Sequence, residues 1–166
     1  MAGESELSPE DKRRLAVAKI MHDYCDDAIV NDPLFGEPLV GKAAIAVHKT
    51  AEMIALTDVK IDVTDRWAMG NELVATWVVT GLNSGPFYNI PPSGRRIKLT
   101  GATIVRRRDG LIEQETLYYD ADVMRRQLTG EGPYPAEEEE EASAAESGTA
   151  ADAAQSGAAA DAADGE

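Results

Sequence analysis

The spacing of apolar residues changes from a helical to a strand-like period near residue 57, and this change constrains the fold most. Helical spacing runs through residues 9–25 and 41–56, with a brief strand expected at 26–33 between them. From Val59 to Tyr119 apolar and polar residues alternate, with turns that include the hairpin signal Asp109-Gly110. Early helices and late strands predict an α+β fold, in which a curved antiparallel sheet closes over two helices and leaves a pocket.

Charge divides the chain into two parts. All 16 Lys and Arg residues and 19 of the 30 acidic residues precede residue 129, so the front part carries −3 and the remainder −11 of the net charge of −14. Residues 1–130 are therefore predicted to be one folded domain. Residues 131–166, rich in Ala and Glu, cannot bury enough apolar surface to fold and are predicted to be a disordered acidic tail. Such a tail serves solubility or binds a basic partner.

The folded part has no feature of a nucleic-acid or membrane protein. Its charge of −3 leaves no basic stripe for phosphates, and an acidic chain repels anionic lipid. No apolar stretch reaches about 18 residues, and the first ten residues lack a signal-peptide core, which predicts a cytoplasmic protein. The lone Cys25 is expected on the apolar face of the first helix.

The histidines and tryptophans have structural interpretations beside the functional ones. His48 is expected to be exposed, because it lies outside the apolar stripe of its helix, which consists of Ala44, Val47, Ala51 and Ile54. His22 borders the stripe of the first helix, next to the pocket mouth. The two are 26 residues apart, and no metal-binding spacing accompanies them, so no metal site is predicted. Trp67 and Trp77 are expected in the core or the cavity wall.

Two segments carry a resemblance to a known family. Residues 81–96 read Gly-Leu-Asn-Ser-Gly-Pro-Phe-Tyr-Asn-Ile-Pro-Pro-Ser-Gly-Arg-Arg, and residues 108–120 read Arg-Asp-Gly-Leu-Ile-Glu-Gln-Glu-Thr-Leu-Tyr-Tyr-Asp, followed by Arg126-Gln127-Leu128. Together they resemble the SnoaL-like polyketide cyclases, also called ester cyclases, of the nuclear-transport-factor-2-like superfamily. The resemblance covers roughly residues 12–128. It implies a cone-shaped α+β barrel around a deep hydrophobic cavity and a homodimer formed through the sheet.

The resemblance also implies an activity without metal or cofactor. In such cyclases an Asp takes a proton from an acidic carbon of a hydrophobic carbonyl compound, and an intramolecular aldol step or an isomerisation follows. The matching position is Asp120, which is therefore the predicted general acid/base. An Asp between a strand and a helix is equally a good helix N-cap, and the sequence leaves both roles open.

Five further residues are predicted to line the pocket: Tyr118, Asn83, His22, Trp77 and Phe87. Tyr118 and Tyr119 must face opposite ways, and a pocket phenol can donate to an oxyanion. Asn83 stands where many relatives carry His, and it can donate a hydrogen bond but cannot shuttle protons. Because of Asn83, a binding or oligomerising module without turnover is the alternative. An epoxide hydrolase of the limonene type is the last-ranked function, because the Asp-Arg-Asp set that it needs cannot be assigned to residues of this sequence.

Overall fold

The computed structural model describes residues 7–134, which form a six-stranded sheet and three helices. The elements, in chain order, are α1 (Pro9–Met21), β1 (Tyr24–Asn31), β2 (Leu39–Val40), α2 (Lys42–Ala55), β3 (Leu56–Met69), β4 (Glu72–Asn83), β5 (Arg96–Arg108), β6 (Leu111–Tyr119) and α3 (Ala121–Thr129). None of these helices is long and apolar enough to cross a membrane. The predicted tail lies almost entirely outside the described residues.

The sheet confirms the predicted α+β class but differs from a closed antiparallel barrel. Its strand order is β2-β1-β6-β5-β4-β3, so β2 and β3 are the two edges of an open sheet in the described part of the chain. Strand β1 runs parallel to β6, with Ile29 opposite Gln114 and Asn31 opposite Thr116, while all other neighbours are antiparallel. The parallel pair matters for function because it brings the carboxyl ends of β1 and β6 to the same edge of the sheet.

The first helix is shorter than predicted. Ser8 caps it by accepting a hydrogen bond from the Asp11 amide, as the sequence indicates, but the helix ends at Met21. Tyr24 and Cys25 belong to β1 instead, because Tyr24 pairs with Ile112 and the Ile112 amide donates to the Asp23 carbonyl at 2.7 Å. The expectation that Cys25 lies on a helix is therefore wrong, although the residue is buried.

Two apolar clusters fill the space between the helices and the sheet. The first joins α1, the start of α2 and β1, and its buried members are Val17, Met21, Tyr24, Cys25, Ala28, Val30 and Ile45. The second joins the end of α2, β5 and α3, and its buried members are Ala55, Phe87, Ile97, Leu99, Met124 and Leu128. Along α2 the two clusters are separated by the polar residues His48, Lys49 and Glu52.

The edge strand β3 is exposed along nearly its whole length. Trp67 is 58 % exposed, so its expected place in the core is wrong. The cause is a register shift between Val63 and Asp65: Val63 pairs with Trp77, whereas Trp67 pairs with Val74, which faces the other side of β4. The homodimer through the sheet stays a prediction.

Candidate active site

Three side chains from two elements converge beneath the sheet edge where β1 and β6 end. Asp32 directly follows β1, and His48 and Glu52 lie one turn apart on α2. His48 Nε2 lies 3.3 Å from Asp32 Oδ2 and 3.3 Å from Glu52 Oε1. The side chains of His48 and Asp32 are 1 % and 2 % exposed, whereas that of Glu52 is 34 % exposed. This group, the Asp32–His48–Glu52 centre, is buried at one end and open at the other.

His48 is buried because α2 is rotated relative to the predicted orientation. The expected inner stripe contained Val47 and Ile54, but these are 62 % and 37 % exposed. The buried residues of the helix are Ile45, His48 and Ala55. The expectation of an exposed His48 is therefore wrong: the Ala-rich sequence of α2 permits several helix faces, and the structure buries the one that carries the imidazole.

Neighbouring groups hold the outer atoms of the centre. Tyr119 Oη donates to Asp32 Oδ1 at 2.5 Å, and the Leu34 amide donates to the same oxygen at 2.9 Å. Lys49 Nζ lies 3.2 Å from Glu52 Oε2, and His48 Nδ1 lies 3.3 Å from Tyr88 Oη. In each of the three residues of the centre, one polar atom therefore contacts a neighbouring group and another faces the centre.

Opposite charges decide the ionisation of the centre. Burial acts to lower the pKa of His48, but the carboxylates of Asp32 and Glu52 outweigh it and raise the pKa from 6.5 to about 9. Burial acts to raise the pKa of Asp32, but His48, Tyr119 and the Leu34 amide hold it below its ordinary value. At neutral pH the centre therefore contains an imidazolium between two carboxylates.

The charges of the centre also shift the pKa values of its neighbours. Burial acts to raise the pKa of Glu52, but the Lys49 charge and His48 hold it low. Burial acts to lower the pKa of Lys49, which the charges of Glu52 and Glu115 nevertheless raise. For Tyr119, burial and the Asp32 carboxylate both raise the pKa, so its phenol remains a proton donor.

Aromatic rings cover the imidazole of His48. The Phe35 ring meets it edge-on at a centroid distance of 5.1 Å, and the Phe87 ring lies 6.1 Å away. Tyr88 is nearly parallel to it at 6.4 Å and is 48 % exposed. Phe87 and Tyr88 belong to the connection between β4 and β5, so this connection closes one side of the centre.

Asp120, the predicted general acid/base, lies at the end of β6 next to Tyr119. It is exposed and caps α3, where its Oδ1 accepts hydrogen bonds from the amides of Asp122 and Val123, both at 3.0 Å. Of the two roles that the sequence leaves open, the geometry matches the N-cap. The carboxylate is not brought together with His48 or Glu52.

Tyr118 and Tyr119 face opposite sides of the sheet, as expected, but Tyr119 is the one that reaches the centre. Tyr118 is 56 % exposed on the outer face. There it lines a groove of about 190 Å³ together with Glu72, Ile104, Arg106, Gln114 and Thr116. The pocket role of Tyr118 stays a prediction, whereas Tyr119 is the tyrosine that reaches the centre, because alternation along the strand turns Tyr118 outward.

Asn83 is a buried structural anchor. Its Nδ2 donates to the carbonyls of Ala55 and Gly85, and its Oδ1 accepts from the amide and hydroxyl of Ser93. The side chain is 1 % exposed, and its donors and acceptor are all used. Asn83 therefore ties the end of α2 to the β4–β5 connection and has no free group for a substrate.

The other predicted pocket residues have different positions. Phe87 is 5 % exposed and packs in the second apolar cluster beside His48. Trp77 lies on the inner face of β4, 6.2 Å from the Tyr119 ring, and donates to Thr103 Oγ1 at 2.9 Å. The Trp77 ring lies across Gly101, where a Cβ would come within 2.6 Å of it. His22 ends α1 with its side chain 88 % exposed, away from the centre.

Sequence reasoning missed Asp32, Glu52 and Tyr119 as site residues. A second stripe at helical spacing in α2 could have indicated the site, because it contains a histidine. This stripe consists of Ile45, His48, Glu52 and Ala55. No local pattern links Asp32 to Tyr119, because their contact joins residues 87 positions apart.

Comparison with known proteins identifies the family. The family model for SnoaL-like polyketide cyclase matches residues 14–128. Among curated proteins none matches. The fold is similar to a putative SnoaL-like polyketide cyclase from Jannaschia sp. CCS1, with TM-score 0.60, 14 % identity and coverage of 77 % of this chain and 99 % of that chain.

Two other solved structures share the fold. AclR, a putative hydroxylase from Streptomyces galilaeus, has TM-score 0.60 and 18 % identity, covering 88 % of this chain and 90 % of that one. An LEH-like epoxide hydrolase of M. tuberculosis has TM-score 0.53 and 13 % identity, covering 70 % and 79 %. Because the family model spans most of the described domain, the chain belongs to the SnoaL-like polyketide cyclase family.

Proposed function

We propose that this domain is an acid–base enzyme that moves protons on a hydrophobic carbonyl compound, using only its own side chains as acid and base. The observation that carries the proposal is the buried imidazole of His48 held 3.3 Å from two carboxylates. Isolated buried charges are costly, and clusters of titratable groups in such settings are typical of catalytic sites. The family match and the cyclase, hydroxylase and epoxide hydrolase among similar folds support catalysis as such.

The exposure of the side chains assigns their roles. Glu52, which is 34 % exposed, is the base that takes a proton from the carbon next to the carbonyl. The Glu52 carboxyl passes this proton to the carbonyl oxygen as the enol forms, while the buried imidazolium of His48, 3.3 Å away, stabilises the Glu52 carboxylate. Asp32 is a positioning residue, because its side chain is 2 % exposed and holds the imidazole, and Tyr119 positions Asp32 by donating to its Oδ1. The enol then attacks a second carbonyl or is reprotonated at another carbon.

The apolar surroundings suit a hydrophobic substrate. Trp77 adjoins Tyr119, and Ile61 and Val63 of the neighbouring strand lie on the same face of the sheet as Trp77. These two residues are 61 % and 56 % exposed, so the inner face towards the β3 edge of the sheet offers uncovered apolar surface. A carbonyl compound with a ring or alkyl body packs there while its polar end reaches the centre.

The test is deuterium exchange into the carbon next to the carbonyl of 2-tetralone and related aromatic ketones, followed in D₂O by NMR. We expect the wild-type chain to accelerate exchange and Glu52→Gln to lose at least about 100-fold of that acceleration. The matched control is Asp120→Asn, which changes a capping carboxylate and should retain the wild-type rate. Loss of exchange in Asp120→Asn with retention in Glu52→Gln would contradict the proposal.

A binding module without turnover is the second candidate, favoured by the closure of His48 under Phe35, Phe87 and Tyr88. The same experiment separates the two. Ketones that shift the amide resonances of Trp77 and Tyr119 but exchange no faster than in buffer would indicate binding alone.

A further inference from the structure

The inner atoms of the centre have the spacing of metal ligands. Asp32, His48 and Glu52 each offer one ligand atom, and these atoms lie within 4.8 Å of one another. His48 Nε2 lies 3.3 Å from Asp32 Oδ2 and 3.3 Å from Glu52 Oε1. An ion held about 2.0–2.1 Å from each of its ligands in a tetrahedral site keeps those ligands about 3.3–3.4 Å apart. Histidine nitrogen and carboxylate oxygen are both ligand types that bind Zn²⁺ in proteins.

The outer atoms of the same three residues have the partners that support metal ligands. Tyr119 and the Leu34 amide hold Asp32 Oδ1, Lys49 lies 3.2 Å from the other Glu52 oxygen, and the Tyr88 hydroxyl lies 3.3 Å from His48 Nδ1. Metal sites depend on such secondary contacts, because they fix the tautomer of the histidine and the orientation of each carboxylate. Each residue is thus held from outside and leaves one atom facing inward.

The inward nitrogen lacks a well-formed hydrogen bond. His48 Nε2 is fully buried and makes no aligned hydrogen bond within the described residues, despite its two contacts at 3.3 Å. Two carboxylates beside one nitrogen favour a cation between these three atoms, which is either a proton on Nε2 or a metal ion. A proton on Nε2 meets this need incompletely, because its N–H is aligned with neither oxygen.

We propose that the Asp32–His48–Glu52 centre binds one divalent transition-metal ion, with Zn²⁺ as the preferred probe. An imidazole ligand favours Zn²⁺ over Mg²⁺ and Ca²⁺, which prefer oxygen-only sites. The ion and the Nε2 proton exclude each other, and the ion takes Glu52 as a ligand, so under the proposed function the bound ion stops proton transfer.

The experiment is a Zn²⁺ titration of the chelator-treated full chain, followed by long-range ¹H–¹⁵N NMR of the two histidines. We expect Zn²⁺ to shift the Nε2 resonance of His48 at one equivalent and to leave exposed His22 unchanged. Calorimetry of Glu52→Gln should give an affinity weaker by about tenfold or more, whereas Asp120→Asn should match the wild type. Both variants leave the acidic residues after position 128 intact, so weak binding there is the same in each.

An unchanged His48 resonance at saturating Zn²⁺, or equal affinity in Glu52→Gln and the wild type, would overturn the proposal. Co²⁺ provides a second measurement, since ligation by His48 in a four-coordinate site gives visible absorption bands stronger than those of the hydrated ion. These readouts need no substrate. Failure of metal binding therefore leaves the proton-transfer proposal standing, and failure of ketone exchange leaves the metal site standing.

Discussion

Asp32 and Asp120 follow the two neighbouring parallel strands β1 and β6, and their different surroundings separate a buried carboxylate of the charged centre from a helix cap. The Asp32 side chain is 2 % exposed and contacts His48, Tyr119 and the Leu34 amide. Asp120 is exposed, and within the described residues its carboxylate accepts hydrogen bonds from the first amides of α3. The difference arises because β1 leads into a loop that turns under the sheet, whereas β6 leads directly into a helix whose amides take the carboxylate.

The largest expected effect is the contrast between Asp32→Asn and Asp120→Asn in the free energy of unfolding. Asp32→Asn leaves a buried imidazolium short of one counterion, and removing one partner of a buried pair costs about 3–5 kcal/mol. Asn caps helices as well as Asp does, so Asp120→Asn should change stability by less than about 0.5 kcal/mol. Urea denaturation of both variants measures the contrast. Equal losses in the free energy of unfolding would mean that the two carboxylates do not differ in their structural role.

The pH dependence of stability should isolate His48. Its pKa is about 9 in the folded chain against 6.5 without partners, so its contribution is complete below pH 6.5 and disappears as the pH rises through 9. A pKa shift of this size corresponds to a contribution of about 3 kcal/mol to the free energy of unfolding. Urea denaturation between pH 6 and 9.5, with a chelator present, should reveal the decline in the wild type and in His22→Gln. A similar decline in His48→Gln would assign the effect to another group.

Tyr119→Phe and Tyr118→Phe compare the two faces of β6. Tyr119 loses a hydrogen bond to a buried carboxylate, which costs about 2 kcal/mol, since hydrogen bonds to charged groups contribute about 1.5–3 kcal/mol. Tyr118 is exposed and its hydroxyl has no hydrogen-bond partner among the described contacts, so its loss should be near zero. Thermal unfolding of the pair gives the answer, and a larger loss at Tyr118 would place the wrong tyrosine in the centre.

The smallest effect is expected at Tyr88. Its hydroxyl lies 3.3 Å from His48 Nδ1 and the residue is 48 % exposed, so Tyr88→Phe should cost less than about 1 kcal/mol. The change should instead speed hydrogen exchange in the connection between Ser84 and Arg95, because one of its ties to α2 is lost. Unaltered exchange there, measured by mass spectrometry, would mean that Tyr88 does not hold the connection closed.

The fold was predictable from sequence because it follows from periodicity. The switch in apolar spacing after Leu56 and the turn at Asp109-Gly110 locate α2 and the long strands. The parallel pairing of β1 with β6 and the outward turn of Trp67 were not predictable in this way. Both depend on register, which is set by contacts between distant strands.

The site was less predictable, because its residues are joined by tertiary contacts. The Tyr-Tyr-Asp segment drew attention to the right sheet edge, yet the carboxylate that packs there comes from Asp32, 88 positions earlier in the sequence. His48 was assigned to the surface because the Ala-rich helix α2 has more than one face that can be buried. Asn83 was predicted to face a substrate, but its four hydrogen bonds to the chain make it an anchor.

The most direct test of the centre is a ¹⁵N NMR titration of His48 in the full chain with chelator present, with the exposed His22 as internal reference. We predict that both ring nitrogens of His48 stay protonated at pH 7 and that the ring titrates with a pKa of about 9. Loss of the second proton at or below pH 6.5 would contradict the account, because His48 would then be a neutral core residue without the charge that the proposed chemistry requires.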